Sequence, residues 1–212
     1  MKENVATANL STIDEYLNEM TAIIGRIDRA QVDRAIEMLY QTWLLDRKVF
    51  ILGNGGSAST ATHFACDLTK TTIVPGEKRF KVISLVDNIP LVSALTNDEG
   101  FEKIYDEQLD ALLEADDVVV ALSVHGGSGK GNASAWSQNI LRAIELAKAR
   151  GAKSMGFAGF DGGAMKTMAD TCVIVPCDST PHAESLHLAL EHLICSRLHD
   201  LIKESRESGL SR

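Results

Sequence analysis

The sequence predicts a three-layer α/β/α sandwich around a mostly five-stranded parallel sheet, with additional helices before the first strand. Three observations predict it. Short runs rich in Val, Ile and Leu alternate with segments of helical periodicity, as strands buried on both faces of a parallel sheet require. Two glycine-rich stretches directly follow such runs, where strand-to-helix turns belong. The 212 residues, 45% hydrophobic and 24% charged, suit one domain with a substantial core.

Ile13–Arg26 carries Ile13, Leu17, Met20 and Ile24 at helical spacing, and Gln31–Leu45 forms a second amphipathic segment. Both precede the sheet, and their apolar residues need a cover. A single domain over residues 1–212 is therefore expected, with residues 1–46 as a helical oligomerisation segment. Val49–Leu52 reads as a buried strand, Ser57–Lys70 as a helix and Lys81–Leu85 as a second strand. Ile89–Leu95 and Phe101–Leu113 read as helices, and the valine-rich Asp117–Leu122 as a third strand. Ala133–Arg150 is a helix closed by Gly151. Lys153–Phe157 and Thr171–Val175 complete the strands, and Pro181–Lys203 is a long terminal helix with proline near its first turn. Right-handed crossovers then place the loops after Leu52, Leu85, Leu122 and Phe157 at one sheet edge, where open parallel sheets collect ligands.

The balance of 21 basic and 29 acidic residues, a formal charge of −8, argues against direct nucleic-acid binding. No run of eighteen apolar residues predicts a membrane span. The polar start, Met1–Thr12, has no secretory pattern, so a cytoplasmic protein is expected. Cys66, Cys172, Cys177 and Cys195 form no Cys-x-x-Cys pair, and reduced thiols are expected.

Two loops carry ligand chemistry. Gly53-Asn54-Gly55-Gly56-Ser57 joins the first strand to its helix. Its glycines permit close approach of a ligand, and free N–H groups at a helix start attract anions. Ser57 can cap that helix or donate to a phosphate; an ordinary tight turn is the alternative. The spacing matches neither a Walker A loop nor the dinucleotide fingerprint, so no nucleotide cofactor is expected. Ser123-Val124-His125-Gly126-Gly127-Ser128 continues to Gly129-Lys130-Gly131-Asn132 after the third strand, and combines hydroxyls, a histidine and a lysine ahead of a helix. These donors suit an anionic ligand, although turn formers in a surface excursion give the same composition.

His63 and Asp67, four apart on one helix, share a face. Glu184 and His192, a little over two turns apart, present to one broad side of the terminal helix, with His187 and Glu191 nearby. If the helices meet, His63, Asp67, Glu184 and His192 offer two imidazoles and two carboxylates, a set suited to zinc or a similar divalent metal. The plainer reading makes His63 a satisfied interior histidine and Glu191 a solvated helix charge. The same groups could carry protons in an aldose–ketose isomerisation without a metal. Asn97 and Asp98, expected before the next helix, could orient hydroxyls or form a cap.

The chain resembles sugar isomerase (SIS) domains, specifically the phosphoheptose isomerase group. The resemblance rests on Val49-Phe-Ile-Leu-Gly-Asn-Gly-Gly-Ser-Ala, His63-Phe-Ala-Cys-Asp67, Thr96-Asn-Asp98-Glu-Gly-Phe101, Gly162-Gly163 and the Glu184…His187…His192 helix. It implies a homotetramer that interconverts sedoheptulose 7-phosphate and D-glycero-D-manno-heptose 7-phosphate through an enediol-type intermediate. It implies phosphate contacts at Ser57, Ser123 and Ser128, with Asn54 close to the sugar; the loop chemistry adds Gly55, Gly56 and His125, and Asn97 and Glu184 are further candidates for substrate contact. Asp67 and His192 become the acid–base pair, Asp98 their support, and His63, Asp67, Glu184 and His192 the ligands of a divalent metal, zinc by default. Two departures stand out: the group carries glutamate where this chain has Asp67, and glutamine where it has Glu184. The serine loop also differs, with His125 for a serine and Gly127 for an asparagine, and with Lys130 as a further cation. The alternative implied by the same resemblance is a non-catalytic SIS protein that binds a sugar phosphate or a replication initiator protein.

Overall fold

The structure is a computed structural model that describes residues 2–128 and 136–208, with side chains from residue 9 onward. Five parallel strands form one sheet: β1 (Lys48–Gly53), β2 (Lys81–Ser84), β3 (Val118–Ser123), β4 (Lys153–Ala158) and β5 (Thr171–Ile174), in the order β2-β1-β3-β4-β5. β1 and β3 are fully buried apart from Lys48, which explains their unbroken apolar runs. Helices cover both faces and give two apolar layers. One contains Leu39, Trp43, Phe64, Leu68, Ile194 and Leu198; the other contains Phe50, Tyr105, Leu109, Ile140 and Ile144.

Helix α1 (Lys2–Arg26) begins well before the expected Ile13, and α2 (Arg29–Leu44) follows after one turn. Asp28 caps α2, its carboxylate accepting from the Ala30 N–H at 2.9 Å. α2 buries Val32, Ala35, Leu39 and Trp43, so it belongs to the domain core. α1 instead leaves Leu10, Ile13, Leu17 and Ile24 exposed. After β1 come α3 (Gly56–Lys70), α4 (Ile89–Asp98), α5 (Asp106–Leu112), α6 (Gln138–Ala149), α7 (Met165–Met168) and α8 (Thr180–Ser208).

Three expectations change. The single helix over Phe101–Leu113 is a 3-10 turn, Phe101–Lys103, followed by the short α5. α4 runs beyond its expected end at Leu95 and takes in Asn97 and Asp98, which form its last turn ahead of the 3-10 turn. The α6 start expected at Ala133 falls outside the described residues, as does Lys130; the described helix begins at Gln138. No helix among the described residues is long and apolar enough to cross a membrane. The four cysteines are unpaired.

A candidate metal and sugar-phosphate site

The strand order reverses direction between β1 and β3, and ligands of open parallel sheets lie outside the carboxyl ends at such a point. Gly53 at the end of β1 pairs with Leu122 of β3, so both candidate loops leave the sheet side by side. Gly55 takes φ +58 as N-cap of α3 and provides no side-chain cap. Ser57 is buried one residue inside the helix and is not its cap. The first N–H groups of α3 thus keep their affinity for an anion. A β-carbon on Gly53 would meet the Ser57 carbonyl at 2.6 Å, so the turn requires glycine there.

Asn54 is tied into this frame. Its amide exchanges hydrogen bonds with the buried Asn139 at 2.8 and 3.0 Å. Its Oδ1 also accepts from the Tyr105 hydroxyl at 3.2 Å, and that hydroxyl donates to the Gly53 carbonyl as well. Burial pushes the Tyr105 hydroxyl pKa above its ordinary value, so the phenol stays a neutral donor.

In the second loop, Ser123 is buried with its Oγ 3.3 Å from that of Ser137. Ser128 Oγ accepts from the Trp136 N–H at 2.8 Å. His125 packs against Trp136 and Phe160, ring centroids 5.3 and 4.3 Å away. His125 is therefore part of an aromatic group at the loop base, in edge-on contact with Trp136 and tilted against Phe160.

α3 and α8 lie side by side and run in the same direction: Gly56 meets Glu184 at one end, and His63 meets His192 further along. There the Nε2 atoms of His63 and His192 are 3.0 Å apart. His63 Nε2 lies 3.7 Å from Asp67 Oδ2 and 3.6 Å from Glu191 Oε1. His192 Nε2 lies 3.5 Å from each of the same two oxygens. Metal–donor bonds of about 2.1 Å in a tetrahedron place neighbouring donors about 3.4 Å apart. The donor set therefore matches a divalent cation in type and in spacing.

The orphaned oxygens of Glu191 give an independent test of that fit. The residue is 0% exposed, and neither oxygen has a hydrogen-bond partner. Burial, with the Asp67 charge adding to it, pushes its carboxyl pKa up to about 8. A bound cation would reverse that penalty and hold the carboxylate ionised. The cluster can hold a divalent metal ion.

Glu184 is the correction. It was expected as the fourth ligand, but the clustered donors are His63, Asp67, Glu191 and His192. Eight residues of helix separate Glu184 from His192 by about 12 Å along the axis, and helical side chains lean towards the N-terminus, so Glu184 points away from the cluster. Its carboxylate packs on Gly56, where a β-carbon would lie 2.3 Å from Oε1. Glu191, read from sequence as a solvated charge, is instead buried on the inner face of α8. A signal existed: Glu191 falls four residues from both His187 and Cys195 and seven from Leu198, within the buried stripe of that helix. Asn97 and Asp98 are exposed on α4 and hydrogen-bonded to each other at 2.6 Å. They are not among the clustered donors.

The doubly wound sheet thus carries a glycine-rich turn and a His/Asp/Glu cluster beside its switch point, where ligands of such sheets bind. Comparison places the chain accordingly. The SIS-domain family model matches residues 15–159. The chain is 46% identical over 190 residues to the lincomycin biosynthesis protein LmbN of Streptomyces lincolnensis, covering 88% of this chain and 68% of that one. It is 34% identical over 183 residues to the phosphoheptose isomerase of Helicobacter pylori strain P12, covering 85% and 90%. The structure of phosphoheptose isomerase GmhA from Neisseria gonorrhoeae superposes with a TM-score of 0.75 at 26% identity, over 94% of this chain and 100% of that one. The Francisella tularensis phosphoheptose isomerase, at 24% identity and a TM-score of 0.79, over 91% and 98%, shows the same fold. This chain belongs to the SIS-domain family, and it is an isomerase-type enzyme of the phosphoheptose isomerase group.

Proposed function

We propose that the protein isomerises sedoheptulose 7-phosphate and D-glycero-D-manno-heptose 7-phosphate, with zinc at the His/Asp/Glu cluster. One observation carries this reading: the anion-binding turn and the cluster occupy the same α3/α8 pair about two helical turns apart. That separation suits an extended sugar whose phosphate and reacting carbons lie at opposite ends. The α3 N–H groups with Ser57, Ser123 and Ser128 bind the phosphate, and Asn54 keeps the turn in place. Glu184, on α8 beside the glycine turn, takes a sugar hydroxyl near the phosphate end.

At the other end, isomerisation moves one proton between adjacent carbons and one between adjacent oxygens. Asp67 takes the proton from the carbon beside the carbonyl, and the electron pair of that bond forms the enediol double bond. The proton then returns to the neighbouring carbon, so the reaction needs no external oxidant or reductant. The proton on oxygen passes between the two adjacent oxygens with water as its carrier, while the His192 Nε2 stays with the donor cluster. The metal, held by His63, Asp67, Glu191 and His192, supplies positive charge where negative charge develops on oxygen.

A homotetramer completes the proposal, supported by the exposed apolar row of α1 and by α4, which buries no residue within one chain. Asn97 and Asp98 then meet substrate from a neighbouring copy. The test is NMR of sedoheptulose 7-phosphate mixed with zinc-loaded and metal-free protein. Conversion by the zinc-loaded protein alone is expected. Binding without turnover by either form would remove the named reaction. Turnover of a ketose phosphate of another chain length, but not of the heptulose, would keep the chemistry and change the substrate. The 46% identity to a protein named for lincomycin biosynthesis makes that second panel worth including.

A further inference from the structure

We propose that Glu191 is the permanent carboxylate ligand of the metal site and that Asp67 is a displaceable fourth ligand, freed to act as the base. The inference rests on the metal-assisted isomerase reading and divides the work of its two carboxylates. A four-donor cluster raises a difficulty for catalysis, because a carboxylate engaged with a cation cannot also collect a proton from carbon.

The geometry resolves it. His63 Nε2, His192 Nε2 and Glu191 Oε1 form a triangle with edges of 3.0, 3.5 and 3.6 Å. Two histidines and one glutamate are a donor set that keeps a cation bound while leaving a fourth position exchangeable. Glu191 is fully enclosed, so it cannot touch a substrate. It also has no other partner for either oxygen, and an ionised carboxylate in that position requires a cation. Asp67 differs in its exposure. Its side chain is 15% exposed, beside imidazoles that are each 48% exposed. Asp67 is thus the carboxylate on the open side of the cluster.

This arrangement also accounts for the short side chain at position 67. A ligand from α8 holds the inner side of the site, so Asp67 can leave without emptying it. The C–H bond of the substrate then breaks towards Asp67, its electrons enter the enediol, and Asp67 returns the proton to the adjacent carbon.

The test titrates zinc alone, against a competing chelator, into the metal-free full-length protein and its Asp67→Asn and Glu191→Gln variants. Glu191→Gln should weaken zinc by more than about 100-fold, and Asp67→Asn by no more than the roughly 10–100-fold that an outer-shell group costs. Asp67→Asn should nonetheless lose at least about 100-fold in kcat, the scale of one acid–base group. Zinc weakened as much by Asp67→Asn as by Glu191→Gln overturns the assignment. If Glu191→Gln does not fold, Asp67→Asn decides alone: it must still bind one zinc per chain at the chelator concentration the parent withstands, and loss of that zinc overturns the proposal. These titrations contain no sugar, so they stand or fall separately from the heptose reaction.

Discussion

His187 sits one helical turn before Glu191 on α8, 1% exposed, with its ring edge-on to Phe157 at 6.0 Å. Burial lowers its pKa to about 4, more than its hydrogen bond to the Ala158 backbone restores. The unfolded chain takes up a proton near pH 6.5, whereas the folded chain refuses it until about pH 4. This residue therefore leaves stability untouched above pH 6.5 and lowers it as pH falls through that window. The loss at pH 5 is roughly 2 kcal/mol for a shift of this size. Denaturant unfolding at pH 7 and pH 5 should show the decrease, and His187→Leu should lose less stability than the parent between the two. Equal losses would show that His187 is protonated in the folded protein. Individual residues were unevenly legible at this scale. His63, Asp67 and His192 followed from helical spacing, but Glu184 and Glu191 traded places because both occupy α8 and only packing against α3 decides which carboxylate faces inwards.

Among the elements, the loops matter more than the strands for building the site. The loop after β3 docks onto the loop after β4 through backbone groups: the Met165 N–H donates to the Gly126 carbonyl at 2.9 Å, and the Ala164 N–H donates to the Gly127 carbonyl at 3.1 Å. Gly126 and Gly163 both have positive φ, and a β-carbon on Gly126 would fall 2.0 Å from the Gly162 carbonyl oxygen. Neither partner is a flexible side chain, so the clash moves backbone. Gly126→Ala should destabilise the protein by about 2–4 kcal/mol, combining left-handed strain with overpacking. Thermal unfolding measures it, and a loss below about 0.5 kcal/mol, ordinary for a surface change, would show that the loops are not locked together. The strand positions were readable because buried parallel strands leave continuous apolar runs. The break between the 3-10 turn and α5 was not, because both lie within one apolar-periodic stretch that hydrogen bonding divides.

For the whole molecule, the uncovered apolar surface is the decisive feature. Leu10, Ile13, Leu17 and Ile24 remain exposed on α1, and an apolar groove between α1, α2 and α8 is lined by Ile24, Ile27, Val32, Ile36, Leu190 and Leu193. A contiguous apolar surface of this kind marks a contact with another molecule. If the proposed tetramer forms through this surface, the paired change Ile13→Glu with Leu17→Glu should convert it to smaller species in light scattering. It should leave the fold of the single chain within about 0.5 kcal/mol per site, since both positions are exposed there. An unchanged mass would place the subunit interface elsewhere.

The sequence by itself determined the sheet, its parallel sense, the two loops at its carboxyl edge and the imidazoles of the site, because each is written in local periodicity or in a short motif. Tertiary structure alone decided how α3 lies against α8. That packing turns Glu184 towards the glycine turn, buries Glu191 without a partner and leaves Asp67 on the open side. Side-chain spacing along one helix fixes a face, but the neighbouring helix fixes which members of that face meet.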